Sequence, residues 1–124
     1  MTDLTKMKCE ACSFEAPRVG EDEKAEYLES IPFWEIYSAQ GIERLRRVFK
    51  LKNYALSVAF TQKIAAMAEE EDHHPLIVLE WGQVTVEWWS HKIKGLHRND
   101  FISAAKTDEL YTGVCEISGE SVKD

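Results

Sequence analysis

The chain has 124 residues, 44% hydrophobic and 30% charged, which are the values of one globular domain. Its formal net charge of -7 disfavours nonspecific binding to nucleic acid or to an anionic membrane surface. No apolar run approaches the roughly 20 residues of a membrane-spanning helix, and none resembles a secretory signal. The expected compartment is therefore the cytoplasm, where disulfide bonds rarely persist.

Residues 1–20 lack hydrophobic periodicity and are interpreted as a flexible leader. The leader contains a Cys-x-x-Cys pair, Cys9 and Cys12. A structural zinc site needs four ligands, and the chain has no second pair to complete one. A thioredoxin-like site would need a strand before the pair. An unpaired leader segment is favoured, and the alternative is a metal-binding regulator that uses these cysteines together with histidines.

The first half of the domain reads as helix, strand, strand. Residues 21–30 are rich in helix formers, with acidic residues in the first turn, and Pro32 marks the exit. Residues 33–37 are aromatic and β-branched, which predicts a strand. A turn at residues 39–41 leads to a second, half-exposed strand over residues 43–51.

A long helix follows, with Asn53 as its predicted N-cap and an end near Pro75. Its apolar residues recur at helical spacing, which indicates a face packed on a sheet: Leu56, Phe60, Ile64 and Met67.

The next segment predicts a β-hairpin with a turn at Trp81-Gly82. Residues 76–80 read as a buried strand, and residues 83–89 alternate strictly. We expect one face of that strand to present Val84, Val86 and Trp88, and the other face to present Thr85, Glu87 and Trp89.

A last helix is predicted to begin at Asn99 or Asp100 and to continue through Leu110. The element order is then α-β-β-α-β-β-α, and the short turns between strands indicate antiparallel pairs. The sequence predicts a single α+β domain over residues 21–112, followed by a polar tail at residues 113–124.

All four histidines lie between positions 73 and 97, and the predicted hairpin brings three of them together. The turn folds the two strands back, so the segment before Pro75 approaches the segment after Ser90. We therefore expect His73, His74 and His91 to converge at one end of the sheet.

Three imidazoles in one place have two functional interpretations and one structural one. A metal site is disfavoured, because extended neighbours such as His73 and His74 point in opposite directions. Metal-free proton transfer is favoured by the near-neutral pKa of an unperturbed imidazole. The structural alternative is a group of surface histidines that pack a helix end and perform no chemistry.

The segment from Glu69 to Asp100 resembles the signature of pterin-4a-carbinolamine dehydratases. That signature has an acidic residue, three free positions, His-His-Pro, an aromatic after five positions, a histidine after nine more, and a later aspartate. This chain meets every position with Glu69, His73, His74, Pro75, Trp81, His91 and Asp100. The resemblance covers about residues 21–112 and includes a tryptophan, Trp34, at the first strand.

The resemblance implies a four-stranded antiparallel sheet with three helices on one face. It implies a hydro-lyase that dehydrates 4a-hydroxytetrahydropterin to quinonoid dihydropterin without metal or cofactor. His73, His74 and His91 would then be catalytic. Glu69, Asp100 and Trp81 would bind or orient substrate or histidines, with helix capping as an equal alternative for Asp100. His97 matches nothing in the signature.

The resemblance also implies partners. They are a small pterin substrate, further copies of the chain in a homodimer or homotetramer, and an aromatic amino acid hydroxylase as a possible metabolic neighbour. No nucleic acid or membrane partner is expected. The alternative function is a non-enzymatic dimerisation or binding module of the same fold.

Overall fold

The computed structural model describes residues 4–7 and 19–118. A 3-10 helix at Leu4–Lys6 precedes the domain. The helices and strands then follow in the predicted order, as α1 (Glu21–Ser30), β1 (Glu35–Ala39), β2 (Ile42–Lys50), α2 (Tyr54–Glu71), β3 (Leu76–Glu80), β4 (Gln83–Trp88) and α3 (Arg98–Ser118). The predicted α+β fold is confirmed.

The four strands form one sheet in the order β1-β2-β4-β3, and every neighbouring pair is antiparallel. The β1–β2 hairpin turns at Gln40 and Gly41, whose φ angles of 54° and 77° suit a two-residue turn. The β3–β4 hairpin turns at Trp81-Gly82, as the sequence predicts. Gly82 has a φ of 68°, and a Cβ there would lie 3.1 Å from the Leu51 carbonyl oxygen, so glycine is required.

The two faces of the sheet differ in chemistry. One face is the core, where Val84, Val86 and Trp88 are fully buried, as the alternation predicts. The other face, which we call the open face, carries the register pair Arg46↔Glu87. This face places charged and aromatic side chains next to the end of β4.

Helices α2 and α3 contact each other and pack on the core face. The predicted cap of α2 is confirmed, since Asn53 Oδ1 accepts a hydrogen bond from the Leu56 N–H at 2.9 Å. Phe60, Ile64 and Ala68 of α2 are buried in the core. This packing fixes the C-terminal end of α2 beside the start of β3.

Strand β1 begins two residues later than the sequence predicts. The Trp34 N–H donates to the Ile31 carbonyl at 3.1 Å and closes a turn around Pro32. Phe33 and Trp34 therefore belong to the turn, and the strand starts at Glu35. Aromatic character indicates a strand here, but it cannot reveal a local turn that uses the same residues.

Helix α3 continues beyond the predicted domain end at residue 112. It passes through Gly113 and ends at Ser118, with Val114 and Cys115 buried. At the other end of the chain, Leu4 is 1% exposed and its 3-10 helix contacts α3. Cys9 and Cys12 lie outside the described residues. Among the residues that are described, no helix is both long and apolar enough to cross a membrane.

A partly buried polar cluster ties α3 to the sheet. Asp108 Oδ1 accepts hydrogen bonds from Trp34 Nε1 and Arg47 Nη1, both at 2.8 Å. Trp34 is thus a core residue, 5% exposed, rather than part of a ligand surface. Burial raises the pKa of Asp108, against the opposing effects of the Trp34 hydrogen bond and the Arg47 charge.

This raised pKa has a measurable consequence for stability. The folded chain holds the Asp108 proton more tightly than the unfolded chain does. The contribution of this carboxyl is therefore greatest below its unfolded pKa of about 4 and is lost as pH rises through the folded pKa. We expect the unfolding free energy of wild type, minus that of Asp108→Asn, to fall as pH rises from the unfolded pKa through the raised folded pKa. Urea unfolding across this range measures it, and a pH-independent difference would contradict it.

Candidate active site

The end of α2 sets the directions of two adjacent histidines. The His73 N–H donates to the Ala68 carbonyl at 3.1 Å, and the Asp72 N–H donates to the Glu69 carbonyl at 3.3 Å. Asp72 is left-handed, with φ 52° and ψ 42°. This is the Schellman arrangement that commonly ends a helix. After the turn, His73 is buried and His74 is exposed.

The left-handed backbone conformation of Asp72 can be tested with a matched pair of variants. Glycine adopts this conformation freely, whereas a β-branched residue resists it. We expect Asp72→Val to lower the unfolding free energy by about 1–2 kcal/mol relative to Asp72→Gly and to displace both histidines. Urea midpoints and activity measure these effects. Equal stability of the two variants would show that the turn does not depend on this residue.

His73 is held between a carboxylate and an indole. Its Nε2 lies 2.6 Å from Asp100 Oδ1, and both side chains are buried. Its ring stacks on Trp88 at a centroid distance of 5.4 Å and an angle of 18°. Trp88 is fixed in turn, since its Nε1 donates to Thr107 Oγ1 at 3.1 Å. A carboxylate only accepts hydrogen bonds, so Nε2 carries the proton and the His73 tautomer is set.

Asp100 performs both of the roles that the sequence left open. Its Oδ2 accepts from Ser90 Oγ at 2.9 Å and from the His97 N–H at 2.8 Å. His97 caps α3, because its Nδ1 accepts from the Asn99 N–H at 3.0 Å. The contact from the His97 N–H to the Asp100 carboxylate is one half of a capping box, and the His97 side chain accepts from Asn99 instead of Asp100. The start of α3 therefore fixes the carboxylate that orients His73.

His74 is exposed and is paired with a second carboxylate, that of Glu69. Its Nε2 lies 2.6 Å from Glu69 Oε1, and the two side chains are 54% and 78% exposed. Glu69 sits in the last turn of α2, so the helix presents it to the histidine that follows. The resemblance implies that Glu69 orients either the substrate or a histidine, and the structure shows its contact with His74. The pair is open to solvent and to a ligand.

His91 is held differently. Its imidazole contacts the Trp89 ring at a centroid distance of 4.5 Å and an angle of 35°. Among the described residues, no hydrogen bond to its ring is seen. The guanidinium of Arg44 lies over the same indole, with Cζ 3.9 Å from the ring centroid. His91 is exposed, so both ring nitrogens are available to a ligand.

The register of the hairpin places the three histidines at one end of the sheet. The last register pair at this end is Leu76↔Glu87. His74 and Trp89 come two residues beyond it. Trp88 contacts His73 and Trp89 contacts His91, so adjacent tryptophans link the buried histidine to an exposed one.

Trp81 does not join this group within one chain. It lies in the turn at the opposite end of the β3–β4 hairpin and is 71% exposed. A strand rises about 3.3 Å per residue, so the five residues of β3 separate Trp81 from His74 by roughly 16 Å or more.

Sequence reasoning missed four residues of the site. The sequence predicts Trp88 on the core face and Trp89 on the opposite face, but it connects neither tryptophan with a histidine. The adjacent tryptophans next to Ser90-His91 were the available signal. His97 and Ser90 were not assigned roles, and their contacts to Asp100 depend on loop geometry that no periodicity encodes.

The described part of the chain shows pairs of ligating side chains rather than larger groups. His73 pairs with Asp100 and His74 pairs with Glu69. Within residues 4–7 and 19–118, no three His, Cys, Asp or Glu side chains are arranged to hold a metal ion.

This arrangement is suited to proton transfer. Two imidazoles carry carboxylate partners that orient the ring and fix which nitrogen faces the carboxylate. The third imidazole has an aromatic neighbour and two accessible nitrogens. A donor and an acceptor of protons can thus act on one ligand at the same end of the sheet.

Comparisons with known proteins identify the family of this chain. The family model described as pterin 4 alpha carbinolamine dehydratase matches residues 17–110. A curated relative from Saccharophagus degradans, named "Putative pterin-4-alpha-carbinolamine dehydratase", is 57% identical over 113 residues. The alignment covers 91% of this chain and 100% of the relative.

Solved structures give the same result for the fold. A crystal structure described as a transcriptional coactivator/pterin dehydratase from Brucella melitensis has a TM-score of 0.69 and 29% identity, covering 76% of this chain and 98% of that one. A pterin dehydratase-like protein described as a RuBisCO assembly factor in the alpha-carboxysome has a TM-score of 0.53 and 24% identity, covering 71% and 92%. The second likeness concerns the fold alone. The family match and the 57% identical relative show that the chain belongs to the pterin-4-alpha-carbinolamine dehydratase family.

Proposed function

We propose that this protein dehydrates 4a-hydroxytetrahydropterins to quinonoid dihydropterin and water by metal-free acid–base catalysis. Family membership supports a dehydratase. The observation that carries the finer proposal is the set of three histidines at one end of the hairpin. Two of them have carboxylate partners and the third has none among the described residues.

The reaction needs one acid and one base. The C4a–O bond breaks, and an acid protonates the departing hydroxyl so that it leaves as water. A base takes the proton from N5, and the N–H electron pair forms the N5=C4a double bond. No electron is gained or lost overall, and the two proton transfers balance.

We assign the acid to His74 and the base to His91. Glu69 Oε1 lies 2.6 Å from His74 Nε2 and orients this imidazole as the proton donor. His91 is exposed and its ring has no hydrogen-bond partner among the described residues, so a ring nitrogen can take the N5 proton. His73 is 6% exposed and bound to Asp100, which suits orientation of the substrate or a reserve acid.

The test of this function is the loss of a 4a-hydroxytetrahydropterin, followed by ultraviolet absorbance with and without the protein. We expect the protein to accelerate the loss well above the buffer rate, since general acid–base terms supply roughly 100- to 10,000-fold. A rate equal to that of buffer would indicate a family fold that acts as a non-enzymatic binding module instead.

We also propose that the chain forms a homodimer or homotetramer. Strand β3 is an edge of the sheet and not the buried strand that the sequence predicts, since it exposes Leu76 and Val78 at 42% and 44%. Edge strands with exposed apolar side chains commonly pair with another chain. Light scattering during size-exclusion chromatography measures the mass directly. A single species at the monomer mass would contradict this proposal.

Supply of the substrate by an aromatic amino acid hydroxylase is a further proposal, tested by adding the protein to such a hydroxylase reaction.

A further inference from the structure

The three histidines of the site are fixed in two different ways. His73 and His74 each lie 2.6 Å from a carboxylate oxygen. His91 has no such partner within the described chain, and the ring that it contacts is Trp89 at 4.5 Å. An exposed side chain without a hydrogen bond samples several rotamers unless packing selects one.

Trp89 is itself held from the open face of the sheet. The Arg44 guanidinium lies 3.9 Å from the indole centroid, close enough for a strong cation–π contact. Arg44 is oriented by Glu87, whose Oε1 lies 3.0 Å from Nη1, and these two side chains are only 14% and 11% exposed. Within the described residues Arg44 Nε has no hydrogen-bond partner, so the indole and Glu87 account for its placement.

We propose that Trp89 is a positioning residue that fixes the imidazole of His91, and that Arg44 and Glu87 hold Trp89 for this purpose. The proposal rests on the proposed function, because it concerns the base of that same site. It predicts that a row of side chains on the open face, Glu87, Arg44 and Trp89, controls the rate.

The size of the effect follows from the aromatic contact. Such a contact favours one arrangement by up to roughly tenfold. A misplaced catalytic group loses rate steeply with distance, whereas substrate affinity depends on many other contacts. We therefore expect loss of the Trp89 ring to lower kcat about tenfold, with a much smaller change in KM.

The kinetic test compares Trp89→Leu with Tyr37→Leu. Tyr37 is a matched control, since it is the register partner of Arg44 on the open face and its ring lies 5.4 Å from the Arg46 guanidinium, yet among the described residues no ring contact joins it to a histidine. We expect Trp89→Leu to lower kcat about tenfold, Trp89→Phe to restore most of it, and Tyr37→Leu to leave it within about twofold. Equal losses in the two leucine variants would overturn the proposal.

A second pair of variants tests the arginine. Arg46 Nε lies 3.6 Å from the same Glu87 carboxylate, but its guanidinium lies over a different ring. We expect Arg44→Met to lower kcat several-fold and Arg46→Met to have little effect. If both changes act equally, Arg44 does not hold Trp89.

A double-mutant cycle separates positioning from general stability. If Trp89 acts through His91, then Trp89→Leu has no further effect on kcat in a His91→Ala background. A tenfold loss in both backgrounds would refute the proposal.

Nuclear magnetic resonance gives a readout that does not need activity. The Trp89 ring current should shift the carbon-bound ring protons of His91 upfield, and Trp89→Leu should remove that shift while Tyr37→Leu leaves it. Unchanged His91 resonances in Trp89→Leu would overturn the positioning role even in a protein with no dehydratase activity. An inactive wild type with the expected shifts would instead refute only the proposed function.

Discussion

Replacing Asp100 with alanine should remove about 3 kcal/mol or more from the free energy of unfolding. The carboxylate is 0% exposed and accepts hydrogen bonds from His73 Nε2, Ser90 Oγ and the His97 N–H. Loss of the acceptor removes three buried hydrogen bonds, and each contributes about 1 kcal/mol or more.

Asparagine at position 100 tests catalysis with less damage to the fold. Its carbonyl can still accept from Ser90 and His97, which leaves the NH2 group facing His73. That group donates, so Nε2 of His73 must accept and the proton moves to Nδ1. We expect Asp100→Asn to lose roughly tenfold to 100-fold in kcat while keeping most of its stability.

Two measurements check the Asp100 variants. Urea unfolding gives the stability loss, and nitrogen-15 shifts of the His73 ring report the tautomer. A variant with the wild-type tautomer and the wild-type rate would show that this carboxylate serves the helix alone.

His91→Ala should give the opposite combination of effects. The side chain is exposed and contacts one indole, so its loss should change stability by no more than about 0.5 kcal/mol. As the proposed base, its loss should lower kcat by roughly 100-fold or more. The exposed position should also admit free imidazole, which should restore part of the rate in proportion to the concentration of its neutral form.

His73→Ala is the control for that rescue. This residue is buried between Trp88 and Asp100, so its loss should destabilise the fold and free imidazole should not enter. Rescue of His73→Ala but not of His91→Ala would contradict the assignment of the accessible base.

The fold was accessible from the sequence wherever local signals agree with packing. The glycine at position 82 identified the turn, and the alternation over residues 83–89 identified the buried face of β4. Asn53 and the apolar spacing that follows it identified α2. The sequence predicts too early a start for β1, because the aromatic residues there close a turn at Ile31–Trp34. It predicts too early an end for the last domain element, because buried residues beyond Gly113 extend α3.

The sequence is enough to identify the histidines of the candidate site, but not the residues that they contact. Hairpin geometry is enough to bring His73, His74 and His91 to one end of the sheet. The partners that distinguish them come from three different elements: Glu69 from α2, Trp89 from the end of β4, and Asp100 from α3. Pairing across elements depends on packing, and the separation of Trp81 from the histidines shows that a signature position need not share their location.

Histidine acid–base catalysis is tested most directly by a double variant, His74→Ala/His91→Ala. Its dehydration rate is measured beside that of wild type at equal concentration. Both side chains are exposed, so circular dichroism should show the same fold in the two proteins. We expect wild type to act well above the buffer rate and the double variant to fall to that rate. A folded double variant that keeps the wild-type rate would contradict histidine acid–base catalysis at this site.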